Sequence, residues 1–231
     1  MSDLTPESVF HAPFYLRHNQ RRLEHLASLR LPLREKSVLE VGAGIGDHTG
    51  FFVDRNCDVT SLEVREENLR ILKERYPQVV ALRFDMDDPL PSCGEYDIVY
   101  CYGLLYHLKN PGDAIRHMAA CCRGMLLLET CVSYGQGKLI NACIEDVPNP
   151  SQAFSGIGCR PTRDWVQWQL KQNLEYVYLT LTQPNHEEFP TDWTTAPPDP
   201  NLLSRAVFIG SRSKLCNDQL TERIPMIQSR H

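Results

Sequence analysis

The run Val38-Leu39-Glu40-Val41-Gly42-Ala43-Gly44-Ile45-Gly46 constrains this chain more than any other segment. A mostly apolar stretch ends in three glycines on alternate positions, and a helical pattern over 47–55 follows. That order reads as a buried strand, a tight turn and a helix start. Glycine permits positive φ and lets backbone approach a ligand, while the free amides of the next helix start can donate to it. A turn that needs glycine only for its own geometry does not account for the alternate spacing. The segment therefore predicts a ligand site at a strand tip.

Strand and helix patterns alternate from there. Strands are expected at 37–41, 58–63, 79–84, 96–102 and 125–130, with helices at 47–55, 66–76 and 112–122 between them. Apolar strands separated by amphipathic helices call for a parallel sheet covered on both faces. Ahead of them, Thr5-Pro6 is a helix-start signal, and Leu16, Leu23, Leu26 and Leu29 fall along one side of a helix. Behind them, 173–182 and 205–213 read as an antiparallel strand pair, and 135–161, rich in Gly, Pro, Asn and Ser, reads as a substrate loop over the sheet's carboxyl edge. Thr162 caps a helix carrying Trp165 and Trp168, a pair read as core or interface.

At 231 residues with 42% apolar content the chain suits one α/β domain, and its charged fraction of 23% is ordinary for a globular protein. No apolar run approaches the ~20 residues that cross a bilayer, and residues 1–22 lack the apolar centre of a secretory signal. The nine cysteines form no Cys-x-x-Cys and are read as reduced thiols, so a cytoplasmic location is expected. A net charge of −5 argues against a nucleic-acid partner, which wants a basic face. A monomer or homodimer is expected.

A dinucleotide fingerprint, Gly-x-Gly-x-x-Gly, would place its third glycine at position 47, where Asp47 stands. What stands here instead, Glu40-x-Gly42-x-Gly44-x-Gly46 at the end of a first strand, resembles motif I of class I S-adenosylmethionine-dependent methyltransferases. The resemblance implies a three-layer α/β sandwich: a seven-stranded, mostly parallel sheet with the last strand antiparallel, helices on both faces and an N-terminal helical lid. It implies S-adenosylmethionine as cofactor, held by Glu40, Gly42, Ala43, Gly44 and Gly46. Glu63, ending the second strand, takes the ribose hydroxyls beside Val64. Asp85 and Met86 take the adenine, and Tyr102 ends the motif IV strand that begins Tyr96-Asp97-Ile98-Val99. The stretch Tyr102-Gly103-Leu104-Leu105-Tyr106-His107-Leu108 resembles the part of small-molecule members that sets an aromatic-His pair by the substrate, so Tyr106 and His107 are the catalytic candidates. An imidazole titrating near neutral pH suits proton removal from a hydroxyl; a packing role for His107 weighs equally.

Substrate contacts are expected from Tyr15 and His18, with Asn19, on the first helix, and from Tyr134, Arg160 and Arg163 after the fifth strand. Paired guanidiniums beside a helix start suit a carboxylate or phosphate; a solvated turn with ordinary ion pairs is the competing account. His186-Glu187-Glu188 with Asp192 is read as a charged surface loop and no metal site is expected, because the spacing matches no typical ligand pattern. One domain over 1–231 is expected: a helical cap (1–35), a cofactor-binding core (36–130), a substrate loop (131–163), a helix and strand pair (164–213) and a tail (214–231). The favoured activity is O-methylation of a small molecule, a sugar or acidic metabolite. A tRNA- or RNA-modifying methyltransferase, a non-catalytic S-adenosylmethionine-binding partner protein and a nicotinamide dehydrogenase stand as alternatives.

Overall fold

The computed structural model describes residues 4–88, 94–197, 199 and 202–231. The first three residues of the expected cap, Cys93 among the expected thiols and parts of the 183–204 connection lie outside them. Two helices open the chain, α1 (Pro6–Phe10) and α2 (Pro13–Ser28). Thr5 caps the first, its side chain accepting from the Ser8 amide at 3.2 Å. The core then alternates as expected: β1 (Ser37–Val41), α3 (Thr49–Val53), β2 (Asp58–Glu63), α4 (Glu66–Arg75), β3 (Val80–Arg83), β4 (Tyr96–Tyr102), a 3-10 turn at Leu105–His107, α5 (Pro111–Ala120) and β5 (Cys122–Cys131). A small hairpin follows, β6 (Ala142–Ile144) with β7 (Ile157–Cys159), and then α6 (Arg163–Lys171), capped by Thr162. The chain closes with β8 (Tyr176–Thr180), β9 (Thr182–Gln183), β10 (Arg205–Ser211), β11 (Leu220–Thr221) and β12 (Ser229–Arg230).

The main sheet runs β11-β8-β10-β5-β4-β1-β2-β3. β1 to β5 are mutually parallel, and β10 inserts antiparallel between β5 and β8. Seven strands were expected, and among the described residues the main sheet holds eight. The eighth, β11, pairs antiparallel with β8 and comes from residues that read as tail. A two-residue strand carries no hydrophobic period of its own and exists only because the edge of β8 is there to pair with.

Side-chain alternation sends Leu39, Val99, Leu126, Leu128 and Phe208 to one face, where α5 and α6 cover them with Ile115, Met118, Trp165 and Leu170. Val38, Ile98, Leu127, Val207 and Ile209 go to the other, against Leu26, Leu29 and Phe52. Trp165 belongs to the first of these cores, whereas Trp168 is at the surface with the Lys138 ammonium 4.5 Å from its ring centre. Helix α2 departs from the apolar-stripe expectation. Leu16 is exposed, and the buried residues of α2 are His18, Asn19, Arg22, His25 and Leu26. A helix whose inner face is mostly polar has something polar to cover. Among the described residues seven cysteines are free thiols, whereas Cys121 is disulfide-bonded, against the expectation; spacing along the chain says nothing about pairs that the fold brings together. Among the described residues no helix is long and apolar enough to cross a membrane.

Candidate active site

From β1 the chain works outward through β2 and β3, then crosses back to lay β4 against the other side of β1. Where strand order reverses in this way, the connections leave in opposite directions and a crevice opens at the carboxyl ends. A groove lies there, with about 990 Å³ of free space counting its mouth open to solvent, lined by the tips of β1, β2 and β4, the start of α4, the polar face of α2 and the segment Pro150–Gln152. The glycine turn bends over β2: the Gly42 and Ala43 amides donate to Leu62 O at 2.8 and 3.0 Å. Gly42 has φ +74°, and a Cβ there would stand 2.8 Å from the Leu104 Cβ. Only glycine combines that dihedral with so close a neighbour.

Glu63 closes the cradle. The Gly44 amide donates to its Oε2 at 2.8 Å and the Arg65 amide to its Oε1 at 2.9 Å, so the carboxylate bridges the tips of β1 and β2. Burial pushes its pKa up, against these donors. Glu40, Gly42, Ala43, Gly44, Glu63, Val64, Asp85, Met86 and Tyr102 all line the groove. Gly46 does not: a Cβ there would meet Tyr76 and Leu72 at 3.1 and 3.3 Å, which makes it a packing glycine that keeps the turn close to α4. Among the described residues several buried polar atoms of groove-lining side chains have no partner, namely Arg22 Nε, His48 Nε2, Asn68 Oδ1 and Tyr102 OH. Unpaired buried polar atoms are costly, so their collection around one crevice fits a polar occupant.

His107 also lines the groove. Its Nδ1 is paired with the Glu145 carboxylate, both groups being buried. Burial lowers the pKa of His107 and Glu145 acts against that. For Glu145, burial would raise the value, but hydrogen bonding and charge from His107, the Ala153 amide and Arg160 bring it down to about 2. Tyr106 stays out of the groove, its hydroxyl accepting from Arg205 at 3.1 Å.

Beneath α2 runs a buried chain of charges. Arg22 pairs with Glu129, Arg205 with the other Glu129 oxygen at 3.2 Å, and Arg205 Nε with Glu188 at 2.6 Å. Burial alone would push Glu129 up, but Arg22 and Arg205 together hold it low. Arg22 thus faces the groove while anchored to the middle of the sheet. Of the six residues singled out for substrate, Tyr15 and Asn19 line the groove and the other four do not. Arg160 clamps the loop, donating to Glu145 at 3.1 Å and to Cys159 O at 2.8 Å. Arg163 donates to Pro225 O and lies 3.9 Å from the centre of the Trp193 ring, and Tyr134 bonds Asp192 O. His18 turns inward toward His186 and Glu188.

His186 and Glu188 are buried, which corrects the surface-loop reading; Glu187 and Asp192 stay outside. Ligand atoms of His18, His186 and Glu188 lie within 4.8 Å of one another. Arg205 bonded to that carboxylate and Arg22 close to His18 create a positive surrounding that disfavours a divalent cation.

Residues 15–178 match the family model described as a methyltransferase domain. This chain belongs to that family. The resemblance to class I S-adenosylmethionine-dependent methyltransferases holds, and the sheet is mostly parallel with β10 antiparallel, as it implied, apart from the added edge strand. The methyltransferase is 30% identical over 124 residues to a ubiquinone biosynthesis O-methyltransferase from Bordetella avium, covering 50% of this chain and 49% of that one. It is 32% identical over 189 residues to a tRNA U34 carboxymethyltransferase from Actinobacillus pleuropneumoniae, covering 75% and 55%. The chain spans about half the length of these curated relatives. In structure it is similar to the N-terminal domain of EvdMO1 crystallised with SAH, with a TM-score of 0.62 at 20% identity, over 84% of this chain and 80% of that one.

Several groove residues of the methyltransferase carried no signal of their own in the sequence. Arg22 sits one helical turn beyond His18 and Asn19 and was within reach of a helical-face argument. Gln152 was not, because its place depends on loop geometry, and neither was Asn68, because only the fold brings the start of α4 to the groove. Glu40 makes a testable case. Thr49 and Ser61 hydroxyls donate to its Oε2 at 2.6 and 2.7 Å, yet burial pushes its pKa up to about 7. Between its ordinary value and about 7 the folded state holds a proton that the unfolded state releases, so this group makes stability fall as pH rises through that window. Denaturant melts at pH 5 and pH 8 should show Glu40→Gln gaining on the wild type toward pH 8, by at most about 3 kcal/mol. An equal difference at both pH values would count against a raised Glu40.

Proposed function

We propose that this methyltransferase transfers the methyl group of S-adenosylmethionine to a hydroxyl oxygen of a small polar metabolite, a sugar or an acidic compound. One observation carries the reading: the groove that holds the Glu63 cradle is also lined by His107, Tyr15 and Arg22, groups suited to a polar acceptor. Glu63 accepts from the ribose hydroxyls, since a carboxylate has two oxygens for a vicinal diol. Asp85 takes the adenine amino group, and buried Met86 lies beside the ring. The cofactor supplies an activated sulfonium methyl. The chain's share is alignment, which for well-oriented reactants lowers a barrier by roughly 7–11 kcal/mol. His107, neutral because burial lowers its pKa, takes the hydroxyl proton as the oxygen attacks. The name of the ubiquinone-pathway relative supports oxygen as the attacking atom.

The relatives named tRNA U34 carboxymethyltransferase favour a second reading, an RNA acceptor. Against it stands the net charge of −5. Incubation with methyl-labelled cofactor against a metabolite extract and, separately, total tRNA discriminates the two. Label is expected in the low-mass fraction; label confined to tRNA overturns the small-molecule reading. Cofactor binding with no adenosylhomocysteine produced from either source points to a non-catalytic binding protein.

A further inference from the structure

We propose that Glu145 is the positioning residue of His107, fixing the imidazole with Nδ1 turned away from the reacting atoms and stabilising the charge the ring acquires with a proton. The inference rests on the reading of His107 as the base. His107 sits on the 3-10 turn after β4 and lines the groove, whereas Glu145 comes from the β6–β7 hairpin, folded over it from above. The carboxylate is itself pinned. The Ala153 amide donates to Oε2 at 2.8 Å and Arg160 to Oε1 at 3.1 Å, with the Cys143 thiol 3.9 Å from that oxygen. Gly158 leaves the space it needs, for a Cβ there would stand 2.4 Å from Oε1.

The hairpin is anchored in turn to the cofactor side of the groove. Arg65 donates to Val147 O at 2.9 Å and to Gln152 O at 3.3 Å, and Asn68 donates to Pro150 O at 3.1 Å. The same two residues touch Glu63, Arg65 through its amide at 2.9 Å and Asn68 at 3.5 Å. An unbroken run of contacts therefore leads from the ribose-facing carboxylate through the loop to the base. The residues that fix Glu63, the proposed ribose acceptor, also hold the loop that orients His107.

Charged groups face His107 from three elements: Glu145 and Arg160 from the hairpin and its exit, and Arg205 from β10, with Tyr106 beside it on its own turn. Burial and both guanidiniums work against a charged ring; Glu145 works for it. A carboxylate at Nδ1 also selects the neutral tautomer with its proton there, leaving Nε2 as the basic atom. This is the division of labour of an acid-oriented histidine base: the acid holds the tautomer and stabilises the imidazolium without taking the proton.

The test is a nitrogen NMR titration of the full chain with labelled histidine, the His107 signals being assigned by their loss in His107→Gln. Wild type is expected to show the Nδ1–H tautomer. Glu145→Gln, close in shape but uncharged, is expected to lower the His107 midpoint by about one unit or more, and Glu145→Asp to recover part of the shift. A midpoint unchanged or raised in Glu145→Gln, or an Nε2–H tautomer in wild type, overturns the proposal. Thermal melts of each variant separate these readouts from a folding defect. Turnover by His107→Ala answers a different question: an undiminished rate removes the base reading, while the titration still reports whether Glu145 governs the ring.

Discussion

Replacing Glu63 by alanine is expected to weaken S-adenosylmethionine binding by about 100-fold or more, because hydrogen bonds to a charged acceptor contribute about 1.5–3 kcal/mol each and a diol makes two. The loss has a second source. Glu63 also receives the Gly44 and Arg65 amides, so without its carboxylate two buried donors lose their partner and the glycine turn keeps only its bonds to Leu62 O on β2. Glu63→Gln keeps one acceptor oxygen and the shape, and is expected to fall between alanine and wild type. Calorimetric titration with S-adenosylmethionine checks the order, with thermal melts to confirm that each variant is folded. Unchanged affinity in a folded Glu63→Ala protein removes the ribose role. Because burial pushes the Glu63 pKa up, wild-type affinity should weaken as pH falls through that raised value, and the alanine variant should lack this dependence.

His107→Ala is expected to slow methyl transfer by roughly 100- to 10,000-fold, the usual contribution of a positioned general base, with cofactor affinity within about twofold of wild type. The pH profile should carry the same signature. A base acts when neutral, so the rate is full above the His107 pKa and is lost as pH falls through it. Since burial sets that pKa below the ordinary histidine value, the acid limb should lie at lower pH than for a free imidazole, and the alanine variant should show no such limb. A profile identical in wild type and variant, with equal rates, leaves His107 as a packing residue.

Much of the scaffold was legible because it rests on short-range physics. Strand patterns at 37–41, 58–63 and 96–102 are strands, and Thr5 and Thr162 cap helices where their spacing says they should. The polar face of α2 was misread as an apolar stripe, since the leucines of a helix advertise its face only when that face meets a greasy core. Here it meets the groove. The substrate candidates fared unevenly for a related reason: Arg160, Arg163 and Tyr134 are the residue types that bind ligands, but in this fold their donors are taken up by Glu145, Pro225 O and Asp192 O.

By itself, then, the sequence determined the alternating strands and helices, the glycine turn at the tip of β1 and the acid at the tip of β2, because period, dihedral freedom and strand length are properties of neighbours along the chain. Tertiary structure alone decided which polar groups meet. Glu145 reaches His107 across 38 positions and Arg22 reaches Glu129 across 107, and His18 finds His186 only once α2 lies on the sheet edge. No local pattern encodes such pairings, because they are made by packing surfaces whose registry exists only after the whole core has closed.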